Sequence, residues 1–187
     1  QKERARSSRH KSESMGSQQE DILNFKTLSK YLYTSLETSA TVIGLFVDGK
    51  RVDSFTGKGH IVFDQTPFYA ESGGQVSDKG SITINGETLE VLDVKKANAG
   101  QHLHEVDSLN EIKMGDIGLL EVNRDVRVLI RKNHSAVHLL QSALRKIVGE
   151  HVQQAGSYVD QEYFRFDFSH YEKLSEQQVK EIESLLN

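Results

Sequence analysis

The sequence predicts an α+β chain in which a small barrel or curled sheet comes first and a helix, a strand and a second helix follow. Three observations carry this. Between Phe25 and about Val122 the apolar side chains fall in short runs broken by glycine and turn residues, the pattern of many short strands closing on one another. From Asn123 to Gly149 apolar side chains recur at alternating three- and four-residue steps, as they do on a helix with one buried face. Beyond it an alternating aromatic and charged segment gives way to a second amphipathic stretch with its own start signal.

Taken in order, residues 1–20 are polar, basic then mixed, with almost no large apolar side chain to anchor them. They read either as the end of a solvated helix from a preceding domain or as a disordered arm. Gln1 is not an initiator, so the chain reads as a piece of something that began earlier, and residues 1–24 are assigned to that helix end or linker. The barrel-like unit spans 25–122. In it, Thr41–Val47, Asp48-Gly49 and Arg51–Phe55 make a hairpin signal, because Asp-Gly supplies the positive φ angles of a two-residue turn. Ser81–Ile84, Asn85-Gly86 and Thr88–Val94 repeat it, and His60–Asp64 and Ile117–Val122 are further strands. The second unit, 123–187, opens with a helix capped by Asn123 and ended by Gly149, its stripe formed by Val126, Ile130, Val137, Leu140, Leu144 and Ile147 and filled in by Leu129, Ala136, Ala143 and Val148. Tyr163–Phe168 reads as a half-buried strand, and Ser175 with Gln178 forms a capping box before a last helix.

Composition narrows the chemistry. With 187 residues the chain holds one ordinary domain or two small ones, and its formal charge of −4 argues against a uniformly cationic coat for nucleic acid while leaving a local basic face open. No cysteine is present, so there is no disulfide framework and no thiol nucleophile. No apolar run reaches the roughly 18 residues of a membrane span and no signal-peptide core is visible, so the default expectation is a cytoplasmic protein with no membrane partner.

His134 and His138 form an H-x-x-x-H pair. On a helix that spacing is slightly more than one turn, which sends both imidazoles out on one side and suits two ligands of one zinc ion, or else two histidines that merely share a face. Zinc-peptidase chemistry is excluded because Ser135, not glutamate, follows the first histidine. Further ligands would have to come from His151, His170, Asp167, His102 or His104. Of these only His102 and His104 alternate on a probable strand, where a structural role is the expectation. Thr66–Gly80 (TPFYAESGGQVSDKG) is a loop in which Gly73-Gly74 lets a ligand approach the main chain or simply allows a structural crossing of the barrel mouth. It lacks the lysine of a phosphate loop. Gln154 and Ser157, just past the helix end, are polar groups able to bond a small ligand.

Taken together, TPFYAESGGQVSDKG, RKNHSAVHLLQSALRKIVGEHVQQAGS and FRFDFSH, in this order and spacing, resemble the editing region of alanyl-tRNA synthetases of bacterial type, over most of residues 25–187. QKERAR resembles the helix that precedes that region. Free-standing alanyl-tRNA editing proteins carry related motifs, but the leading helix and the RFDFSH context favour the synthetase. The resemblance implies a β-barrel-like subdomain followed by an α+β editing domain of the threonyl/alanyl-tRNA synthetase type, here truncated at its C-terminal side. It implies that His134 and His138 bind zinc together with a C-x-x-x-H pair lying later in the family's chain. It further implies that Gln154 lines the editing pocket as a catalytic and substrate-binding residue, and that Ser72, Gly73, Gly74 and Gln75 form the pocket's edge. Val137 departs from the family's usual threonine, which removes a hydroxyl expected near the site.

The implied activity is hydrolysis of the ester joining serine or glycine to tRNA specific for alanine, in a protein that elsewhere attaches alanine with ATP and magnesium. The implied partner is the acceptor end of that tRNA. With two of four zinc ligands present, this chain by itself is expected to be inactive. The competing reading is a tRNA-binding or structural module, contacting the acceptor stem through Arg131, Lys132, Arg145 and Lys146 without chemistry of its own; an unrelated zinc protein is the remaining alternative.

Overall fold

A computed structural model of the chain describes residues 20–187, so most of the segment read as a helix end or linker lies outside the described residues. A short helix α1 (Glu20–Asn24) leads into strands β1 (Lys30–Tyr31), β2 (Glu37–Val47), β3 (Lys50–Val52), β4 (Ser54–Phe63) and β5 (Gln65–Thr66). After a loop come β6 (Gly80–Ile84), β7 (Glu87–Glu90), β8 (Asp93–Lys96), β9 (His102–Lys113) and β10 (Ile117–Val122). The remainder is α2 (Arg124–Ile147), β11 (Gln153–Val159), β12 (Phe164–Ser169) and α3 (Glu176–Leu186).

Eight strands form one antiparallel sheet in the order β7-β6-β10-β2-β4-β9-β8, with β3 beside β2. The two predicted turns are present: Asp48 and Gly49 have φ of 50° and 75°, and Asn85 and Gly86 have 51° and 79°, the paired positive values that match a tight turn to strand twist. The sheet curls until its first strand meets its last but one. Glu87 at the start of β7 accepts hydrogen bonds on its carboxylate from the amides of Leu109 and Asn110, each at 2.9 Å, and from the Ser108 hydroxyl at 3.0 Å, all on β9. Inside the curl lies the largest core, including Leu45, Ile61, Phe63, Phe68, Ile82, Ile112 and Leu120. On the outer face Ile22 and Phe25 of the α1 region cover Phe46, Val62 and Leu103.

One predicted strand divides. Thr88–Val94 reads as continuous, yet it contributes β7 to one end of the sheet and the start of β8 to the other. The switch falls between neighbours: the Val91 amide donates to Gly80 O at 3.0 Å and the Leu92 amide to Glu105 O at 2.9 Å. Nothing local in an apolar run says which partner each amide will find.

In the second half, Asn123 caps α2 by accepting the Val126 amide at 3.1 Å, and α3 starts with the full Ser175/Gln178 capping box. The buried stripe of α2 divides into two contact patches. Ile130 and Val137 meet Val159 and the loop residue Val76, while Ala143 and Leu144 meet Val152, Phe168 and Ile182 of α3. Leu129, expected to fill in the stripe, is 45% exposed, and Arg127 occupies a buried place in it instead. The Gln154–Ser157 segment, expected as loop beyond the helix, is part of β11, which pairs antiparallel with β12. No helix among the described residues is long and apolar enough to cross a membrane.

Candidate functional site

The site is assembled around the Thr66–Gly80 loop, whose stem is held by the two strand histidines. His104 is fully buried; its Nδ1–H donates to Ile61 O at 3.0 Å, so its Nε2 accepts from the Thr66 hydroxyl at 2.8 Å. That pairing needs a neutral ring, and burial pushes the His104 pKa down to about 3. His102 donates from Nδ1 to Phe68 O at 2.8 Å. These histidines are therefore structural, buried rather than solvated, and they fix where the loop leaves the sheet.

Above the stem, Tyr69 and Asp78 close the loop on itself: the Tyr69 amide donates to Asp78 Oδ2 at 2.6 Å and the Asp78 amide to Tyr69 O at 3.1 Å. At the tip, Ser72 and Gln75 exchange backbone bonds of 3.2 and 3.0 Å around Gly73 and Gly74, whose φ values are +61° and +84°. The tip then lies along β11 as an added strand, through Val76 N to Val159 O at 3.0 Å and Val159 N to Gly74 O at 2.8 Å. Gly74 is required twice over. Beyond its positive φ, a β-carbon there would stand 2.4 Å from Ser157 O, inside any real contact distance.

Helix α2 crosses this loop and is tied to it at two levels. Near its start, the buried Arg127 guanidinium pairs with the Asp78 carboxylate, through Nε to Oδ1 at 3.1 Å and a second contact from Nη2 to Oδ2. Nη2 also donates to Pro67 O, and Nη1 donates to Ser35 O. Seven residues on, two turns along the same face, His134 Nδ1 lies 2.5 Å from Gln75 Oε1. An amide oxygen only accepts, so Nδ1 carries the proton and Nε2 presents its lone pair. Partial burial and then the neighbouring His138 lower the His134 pKa, which favours the same neutral form. His138 is exposed, and its ring stacks on that of His134 with centroids 5.0 Å apart and planes at 29°.

The loop, the histidine pair and β11 thus converge. Gln154 reaches the loop tip through Ser157: Gln154 Nε2 donates to Ser157 Oγ at 2.9 Å, and Ser157 Oγ to Gly73 O at 3.2 Å. Gln75 contacts His134 directly; Ser72 and Gly73 connect to the site through the turn. Val137 is 5% exposed and packs with Ile130, Val159 and the loop residue Val76, the neighbour of Gln75, so an apolar contact with the loop stands where the resemblance leads one to expect a hydroxyl.

Among the described residues no group of three or more histidine, cysteine or acidic side chains is placed to hold a metal. The donor chemistry of the H-x-x-x-H pair nevertheless fits zinc, with one imidazole neutral, oriented by an amide through its far nitrogen, and a second beside it. Sequence reasoning missed two features. Arg127 and Asp78 went unnoticed, although a lone arginine inside an apolar stripe is a readable signal. His151 and His170 were not recognised as a pair, yet His151 Nε2 lies 2.8 Å from His170 Nδ1 because β11 and β12 align Gln153 with Ser169 and carry the flanking residues together.

Comparison with known proteins gives two concordant results. The profile of the family "tRNA synthetases class II (A)" matches residues 1–126, ending in the first turn of α2. Alanine–tRNA ligases match along the whole chain: that of Lactococcus lactis subsp. cremoris (strain MG1363) is 43% identical over 189 residues, and that of Pediococcus pentosaceus 44% over 192. The enzyme of Streptococcus pyogenes serotype M5 is 43% identical over 192 residues. In each case all of this chain is covered but only 22% of the relative, so the chain spans about a fifth of the length of these proteins.

Proposed function

The chain belongs to the class II (A) tRNA synthetases, in the alanyl-tRNA synthetase branch, and from that premise we propose that it is part of the region of an alanine–tRNA ligase that hydrolyses mischarged tRNA. The substrate is the ester of serine or glycine on the acceptor end of tRNA specific for alanine. The need is energetic: a pocket shaped for alanine discriminates weakly against one methyl fewer or one hydroxyl more, so a second, hydrolytic site is required. Attachment of alanine with ATP and magnesium belongs to portions of the ligase outside these 187 residues, and the cytoplasm is the proposed location.

The observation that carries this reading is the meeting of three distant segments, Ser72–Gln75, His134/His138 and Gln154/Ser157, on one face through the Gln75–His134 and Ser157–Gly73 contacts. Gly73, where a β-carbon would meet nothing within 4 Å, leaves backbone open to a small ester. Gln75 holds the His134 tautomer, and the Gln154 amide, tethered by Ser157, is the polar group set to orient the amino acid. Zinc bound by His134 and His138, completed by the C-x-x-x-H pair that the family resemblance implies, would supply Lewis acidity toward the substrate or its attacking water.

Metal content and serine release from mischarged tRNA test the proposal, measured for the dialysed 187-residue chain and for a version extended through the next C-x-x-x-H pair. Two ligands hold zinc far less firmly than four, so the chain alone is expected to keep less than one equivalent and release little serine. The extended protein is expected to hold one equivalent and to lose both zinc and hydrolysis on His134→Ala. Stoichiometric zinc in the shorter chain, or hydrolysis in the longer one untouched by His134→Ala, would refute the assignment.

A further inference from the structure

The pair His151 and His170 stands apart from the proposed hydrolytic site and has no part in it. Helix α2 ends at Ile147, about 14 Å along its axis from His138, and His151 lies in the turn beyond that end. His170 directly follows the last residue of β12. The two come together because Gln153 pairs with Ser169 at this end of the β11–β12 ribbon, which brings His151 Nε2 to 2.8 Å from His170 Nδ1. The ring centroids are 5.0 Å apart and the planes meet at 27°. Because the centroids are farther apart than the nitrogens by nearly the depth of both rings, the two nitrogens face each other edge to edge.

The His151 ring is seated against the backbone. A β-carbon on Gly149 would stand 2.8 Å from His151 Nδ1 and 2.9 Å from its Cε1, so the ring occupies room that only glycine leaves. The Tyr171 ring packs on the same imidazole, with centroids 5.0 Å apart and planes at 24°. His151 and Tyr171 are exposed and His170 is half-buried, so water reaches the pair. Neither imidazole has an acidic partner among the described residues, so no carboxylate holds a proton on the facing nitrogens. Two such nitrogens either share one hydrogen bond or give both lone pairs to one cation. The spacing suits the second use: ligands about 2.0 Å from an ion and at right angles stand about 2.8 Å apart, whereas a tetrahedral ion spreads them to about 3.3 Å. Right-angled coordination by nitrogen is the preference of copper(II) and nickel(II).

We propose that His151 Nε2 and His170 Nδ1 form a bidentate site for a divalent transition-metal ion, with copper(II) preferred over zinc, separate from His134 and His138. On binding, two nitrogen–metal bonds replace two water–metal bonds. The proton between the rings moves to the far nitrogen of the ring that carried it, and both rings turn about their broad χ2 torsion to aim at the ion. Water fills the other coordination positions, and a site with two protein ligands gives up its ion on dialysis. The bound ion joins the turn after α2 to the end of β12 and clamps the ribbon on which Gln154 sits. The inference rests on this pair alone and not on the hydrolytic reading.

The probes are copper(II) chloride and zinc chloride. In the 187-residue chain carrying His134→Gln/His138→Gln, so that the other pair takes no ion, one equivalent of copper(II) is expected to bind with two nitrogen ligands in its electron paramagnetic resonance spectrum, and zinc is expected to bind more weakly. A second, linked ligand gains on the order of 100-fold over a single one. His151→Gln and His170→Gln should therefore each weaken copper binding by about 100-fold, and removing both should cost no more than removing either; circular dichroism without metal checks that each variant is folded. A second arm needs no substitution. Nitrogen-15 spectra of the unaltered chain titrated with zinc should show His151 Nε2 and His170 Nδ1 shifting in one step while the far nitrogen of each ring stays protonated. Copper binding untouched by either substitution, losses that multiply in the double variant, or coordination through the far nitrogens would overturn the inference.

Discussion

Removing the Arg127 guanidinium is the sharpest perturbation available to this structure. Arg127 and Asp78 are 8% and 2% exposed, and the pair joins α2 to the loop and, through Pro67 and Ser35, to the sheet's side of the molecule. Arg127→Met leaves the Asp78 charge buried without its partner, a change that costs about 3–5 kcal/mol. For a chain of this size each kcal/mol moves the melting temperature by about 2–4 °C, so a fall of roughly 6–20 °C is expected in a thermal melt followed by circular dichroism. Arg127→Met/Asp78→Leu removes both charges and is expected to recover much of the loss, as a hydrophobic replacement does for a buried pair. Recovery stays incomplete, because the Tyr69 amide then loses its acceptor on Asp78, worth about 1–3 kcal/mol. A single variant that costs less than about 1 kcal/mol, the range of surface pairs, would refute the reasoning, as would a double variant equal to the sum of its parts.

Three further outcomes are expected. His104 titrates near 6.5 when unfolded and at about 3 when folded, so the unfolded chain binds more protons between those values and stability falls as pH falls through that window. About 2 kcal/mol is lost between pH 7 and pH 5, with His60 and His102, both lowered chiefly by burial, acting in the same direction. Urea midpoints at the two pH values check this, and a distinctly shallower profile in a His104→Gln variant that still folds, with His60 and His102 supplying what remains, identifies the share of His104. Gly74→Ala forces a β-carbon against Ser157 O and strains a positive φ, so the loop tip should leave β11, seen as lost hydrogen-exchange protection at the Val76 and Val159 amides while the curled sheet stays protected. Gln75→Leu removes the acceptor from His134 Nδ1; nitrogen-15 spectra of the imidazole should then show mixed tautomers in place of one.

What could be read from the chain alone was whatever short-range chemistry specifies. Asp48-Gly49 and Asn85-Gly86 announce their turns because few other residues accept those angles. Asn123, Ser175 and Gln178 mark helix starts because their side chains satisfy amides a few residues away. The H-x-x-x-H spacing places two imidazoles on one side of a helix by geometry alone. Everything that failed depended on a partner distant in sequence. Thr88–Val94 looks like one strand until the curl of the sheet hands Val91 and Leu92 to opposite ends. His102 and His104 read correctly as structural, but the groups that hold them, Phe68 O, Ile61 O and the Thr66 hydroxyl, are supplied only by the closed fold. Gln154 looks like a loop residue until β12 and the Gly73-Gly74 turn flank its strand. A buried polar group must find its hydrogen-bond partner wherever the closed fold supplies one, and that partner is chosen by three-dimensional packing, to which local spacing is blind.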